Sequence, residues 1–103
     1  MVREYIRADE RSPFRQWFVS LNPPARAKVV IALTRIEQGN FSNVKSVGSG
    51  VFEFRIDFGP GYRIYFGRDG DRLVILLGGG SKLRQQRDIE AAKGLWHEYR
   101  MRN

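Results

Sequence analysis

A chain of 103 residues is the size of one domain, taken here as 1–103, and is long enough to bury a core without staples. It has no cysteine, which excludes a disulfide framework, thiolate metal ligands and thiol nucleophiles. Eighteen Lys and Arg against eleven Asp and Glu leave a formal charge of +7, a balance that draws a polyanion toward the surface. The first residues, MVREYIRADER, are charged from the third position, and no run approaches the roughly 20 apolar residues of a membrane span, so a cytoplasmic protein is the expectation.

In chain order, residues 2 to 8 alternate weakly and predict an opening strand. Ser12-Pro13 then supplies an N-cap followed by proline at the first helical position. Phe14, Trp17, Phe18 and Leu21 fall on one helical stripe, and Asn22-Pro23-Pro24 ends that helix and starts a second. The second helix presents Ala25, Val29, Ala32, Leu33 and Ile36 on one face and closes at Gly39. From Val44 to Gly79 the period becomes two: a short strand at VKSV, a hairpin over 51–66 turning at Gly59-Pro60-Gly61, a turn at Asp69-Gly70, and the aliphatic strand RLVILL, buried on both faces. Three glycines and Ser81, a candidate N-cap, lead into a last helix with Ile89, Ala92, Trp96 and Tyr99 at three- and four-residue spacing. The expected fold is α+β: a small antiparallel sheet in the order β-α-α-β-β-β-α, with an optional further short strand and the helices on one side.

The hairpin carries the chemistry. Phe52, Phe54, Ile56 and Phe58 share one face of its first strand, leaving Glu53, Arg55 and Asp57 on the other. The return strand alternates Tyr62, Ile64 and Phe66 with Arg63 and Tyr65, so Glu53, Arg55, Arg63 and Tyr65 gather on one polar surface. The same residues also fit a plain solvated strand face with Arg55 paired to Glu53 or Asp57, and both readings stand on pattern alone. Lys82, at a helix start where a cation opposes the helix dipole, fits an anion site or a loop lysine in solvent.

Beyond these local patterns, the segment order, the RIEQGNF exit from helix two, the VKSVGSGVFEFRIDFGPGYRIYF block, the GGGSK turn and the QQRDIEAAK helix start resemble the RelE/ParE superfamily of bacterial type II toxins, and within it the HigB-like addiction module killer proteins. The resemblance implies a RelE-like fold and a toxin that cleaves messenger RNA, usually in the ribosomal decoding site. It also implies a cognate antitoxin, expected to be a small helix-turn-helix protein that covers the basic face or braces the terminal helix at Lys82, Arg84, Arg87 and Lys93. Carried over position by position, the active residues are Arg55, Arg63 and Lys82, with Lys45 a looser match; the expected RNA-binding set is these four together with the neighbouring Arg84. A ParE-like inhibitor of DNA gyrase and a non-catalytic module that binds RNA or an antitoxin are the alternatives.

The chemistry agrees with that assignment. Cleavage by a neighbouring 2′-hydroxyl needs the five-coordinate phosphate stabilised and two protons moved, without a metal or other cofactor if cations supply the charge. Arg55 and Arg63 offer planar donor forks but hold their protons. Proton transfer therefore falls to Glu53 as the expected base, or to Lys45 or Lys82 where like charges crowd them. His97 lies on the last helix some four turns beyond Lys82, about 22 Å at 1.5 Å per residue, and reads as a surface histidine. GGGSK lacks the spacing of a P-loop, and no group of residues has metal-ligand spacing.

Overall fold

A computed structural model describes residues 1–102. The chain runs β1 (Val2–Glu4), α1 (Pro13–Ser20), α2 (Pro23–Glu37), β2 (Val44–Gly48), β3 (Val51–Ile56), β4 (Tyr62–Asp69), β5 (Leu73–Ser81), a 3-10 turn (Lys82–Arg84) and α3 (Gln85–Arg102). Both early helices begin where side chains satisfy free amides of the first turn: Ser12 Oγ accepts from Arg15 N at 3.1 Å, and Asn22 Oδ1 accepts from Ala25 N at 3.0 Å. Ser81 makes no such bond. The tighter 3-10 turn intervenes, and α3 starts at Gln85.

The five strands form one sheet in the order β1-β5-β4-β3-β2. The α+β class and the element order follow the sequence; three particulars differ. The opening strand is only Val2–Glu4, because the chain leaves the sheet after the Tyr5 amide donates to Leu76 O at 2.9 Å. It pairs parallel to β5, so the sheet is mixed; no hairpin constrains these two strands, and α1 and α2 lie in the chain between them. The helices also occupy two faces, not one. Phe54, Ile56, Ile64, Phe66, Val74 and Leu76 pack against Phe14 of α1 and Val29, Ala32 and Ile36 of α2. The alternate residues Val51, Tyr65, Ile75 and Leu77 are apolar too, and α3 covers them with Ala92 and Trp96. No helix among the described residues is long and apolar enough to cross a membrane.

A slip of register in β5 prepares the polar end of the second face. Tyr65 pairs with Gly78 but Phe66 with Leu76, leaving Leu77 as a bulge, so facing inverts beyond it. Gly79 then points to the α1 side, where a Cβ would collide with the Trp17 ring. Gly80 points to the α3 side, where a Cβ would collide with the Asp88 carboxylate. Glycine lets both approach the backbone closely.

Candidate functional site

Cross-strand register fixes the polar surface. Lys45 of β2 stands opposite Glu53 of β3, and Glu53 opposite Tyr65 of β4; in the next row Arg55 stands opposite Arg63, and Arg63 opposite Gly80 of β5. Two facing guanidinium groups repel in isolation, so the pair persists only where a counter-charge or a ligand answers it. Half of that answer is Glu53, which is 0% exposed and lies 3.6 Å from Arg63 Nε and 3.9 Å from Lys45 Nζ. Gln85, at the start of α3, donates to its Oε2 at 2.9 Å.

The two arginines differ in what they can reach. Arg63 is 7% exposed, and its second anchor is the Gly61 carbonyl, to which its terminal nitrogen donates at 2.9 Å. That carbonyl also accepts from the Lys82 amide at 2.9 Å, tying the Gly59-Pro60-Gly61 turn to the start of the 3-10 turn. Arg55 is exposed and, like Lys82, has no side-chain hydrogen bond or ion pair among the described residues. Together Arg55, Arg63 and Lys82 line one small cavity of about 110 Å³ between the turns. Three of the expected site residues therefore converge. Arg55 also borders a second depression with Lys45, Asn43 and Asp57. Arg84 stands exposed outside the cavity lining, and His97 is exposed on α3, away from the site.

Glu53 is placed differently from its expected role. Its carboxylate has no solvent-accessible surface and lies within ion-pair distance of Arg63 and Lys45, with Gln85 donating to it, rather than open to solvent. Sequence reasoning gave no site role to Gln85 and Asp88, which lie one turn apart on the first turn of α3. Spacing of i, i+3 was the available signal. Burial holds the Asp88 carboxyl above the ordinary aspartate range, against the opposing pull of Arg84 and Arg87. Tyr65 is fully buried beside Glu53; burial, and then the charge of Glu53, push its phenol well above the usual range. This end of the face is thus a buried acid and phenol beneath open cations.

Over 86 residues the chain is 46% identical to an uncharacterized protein of Haemophilus influenzae, a match spanning 82% of this chain and 87% of that one. Residues 16–95 match the family described as phage derived protein Gp49-like (DUF891). That span takes in the second half of α1, all of α2 and of strands β2 to β5, and most of α3, including every residue of the cation cavity, and the chain belongs to the phage-derived Gp49-like family.

Proposed function

We propose that this protein is the toxin of a toxin–antitoxin pair, an endoribonuclease that cleaves messenger RNA at the ribosome and is held inactive by its antitoxin. The observation that carries the reading is the convergence of Arg55, Arg63 and Lys82 on one cavity, with a buried carboxylate behind the least accessible of them. Membership of a toxin-like, phage-derived family supports it.

In the reaction the substrate's 2′-hydroxyl gives its proton to solvent water and attacks the adjacent phosphorus, the P–O5′ bond breaks, the departing 5′-oxygen takes up a proton, and a 2′,3′-cyclic phosphate and a free 5′-hydroxyl result. Arg55 grips the non-bridging oxygens from the open side, where its planar fork suits them. Arg63, fixed by Glu53 and Gly61, supplies a preorganised positive charge that need not reorient as the phosphate gains charge. Lys82 is the exposed group of the three that exchanges protons, and it donates to the departing 5′-oxygen. Glu53 is a positioning residue in this scheme.

The test is to add purified protein to translating ribosomes and map new messenger ends. Wild-type protein should cut within coding regions, and Lys82→Ala should cut far less. Intact messages together with DNA damage would favour gyrase inhibition, and intact messages bound without cleavage would favour a non-catalytic module.

A further inference from the structure

The cation cavity does not stand alone. Three depressions share both Arg55 and Asp57: the cavity of about 110 Å³ with Arg63 and Lys82, one of about 290 Å³ with Lys45 and Asn43, and one of about 220 Å³ that reaches α2. They form a continuous track from the α3 face of the sheet, past β2, to the α2 face. At its far end Lys28, Ile31, Ala32 and Arg35 sit at i, i+3, i+4 and i+7 on α2, which puts the two cations two turns apart on one side of the helix, about 10 Å by helical rise. Between them Ile31, an apolar residue, is left 47% exposed. Lys28 Nζ lies 5.3 Å from the centre of the Phe58 ring, which lines the same depression. Neither Lys28 nor Arg35 has an ion pair among the described residues.

We propose that this end of the track, formed by Lys28, Ile31, Arg35 and Phe58, is a second RNA subsite that holds the substrate strand several nucleotides away from the scissile phosphate. The inference rests on the ribonuclease reading and adds where the rest of the strand goes. Paired cations around an apolar floor match the chemistry of a nucleotide, whose phosphates need counter-charge and whose base seeks an apolar or aromatic surface. Asp57, the one carboxylate on the track, repels phosphate but accepts from a ribose 2′-hydroxyl, so it suits the sugar edge of an RNA strand passing the bend. An acidic protein segment would meet the cations equally well but would gain nothing from Asp57.

Fluorescence anisotropy with labelled single-stranded RNAs of about four and about twelve nucleotides tests this, since such sites span roughly 4–16 nucleotides. In the double variant Lys28→Ala/Arg35→Ala the longer RNA should bind several-fold more weakly. Its dependence of log affinity on log salt should flatten by about 1.4, two phosphate contacts at roughly 0.7 each. The shorter RNA, held at the cation cavity, should bind as before, and the charge-keeping Lys28→Arg/Arg35→Lys variant should behave as wild type. Unchanged binding of the longer RNA in the double alanine variant, with both RNAs released by Arg55→Ala, would remove the α2 subsite and leave the ribonuclease reading intact. An equal loss of affinity for polyglutamate would overturn the subsite by making it a general anion surface. Failure of wild-type protein to bind either RNA would overturn both.

Discussion

The two faces of the sheet solve different problems with the same strands. Toward α1 and α2 every inward position is apolar, from Phe54 and Ile56 to Val74 and Leu76, and the face does nothing but pack. Toward α3 the face is divided. One end, around Val51, Ile75 and Trp96, packs as the first face does; at the other end, Glu53, Arg63 and Tyr65 take the buried positions. Burying ionised groups gains little stability over apolar residues of the same size. Their presence at one end of one face, near the exposed Arg55 and Lys82, is therefore not explained by packing and fits the proposed site.

The contrast can be broken most sharply at Arg63. Replacing it by alanine leaves the buried Glu53 carboxylate with only Gln85 and the half-exposed Lys45 at 3.9 Å, which should cost about 3 kcal/mol in denaturant unfolding and abolish cleavage with it. Arg55→Ala should separate the two effects. Its exposed side chain adds little to stability, so unfolding should move by no more than about 0.5 kcal/mol, while turnover falls about 10²–10³-fold. On the packing face, Gly79→Ala drives a methyl into the Trp17 ring and should cost about 1–3 kcal/mol, seen as a lower melting temperature.

The smallest effect is a pH dependence. Because burial raises the Asp88 pKa in the folded state, the stability that group contributes is complete below the ordinary aspartate value, about 3.9, and is lost as pH rises through the folded value. Asp88→Asn cannot titrate, so its stability relative to wild type should improve between pH 3 and pH 7. A difference that stays flat, or shrinks, over that range would contradict the placement of Asp88 against Gly80.

Much of this was legible from residue order. Alternation along 51–66 assigns Glu53, Arg55, Arg63 and Tyr65 to one surface, and the observed register keeps them there. The two capped helices follow from Ser12-Pro13 and Asn22-Pro23. The depth of Glu53 was not legible, because it depends on Gln85, 32 residues later, closing over it. Nor was the covering of the second face: Val51, Ile75 and Leu77 demand a partner, but only tertiary packing shows that α3 meets the demand. The bulge at Leu77 is a property of pairing between strands, so no pattern within β5 announces which glycine faces which helix. Nothing in the sequence pattern singled out Lys28 and Arg35, because only the folded chain puts them in one depression with Arg55.

The central claim is that an open guanidinium on a rigid strand, next to a charge locked by a buried acid, grips a scissile phosphate. The most direct measurement is the single-turnover rate of messenger cleavage by Arg55→Ala protein whose unfolding midpoint matches wild type. A loss of about 10²–10³-fold is the result this account predicts; cleavage at the wild-type rate would contradict it.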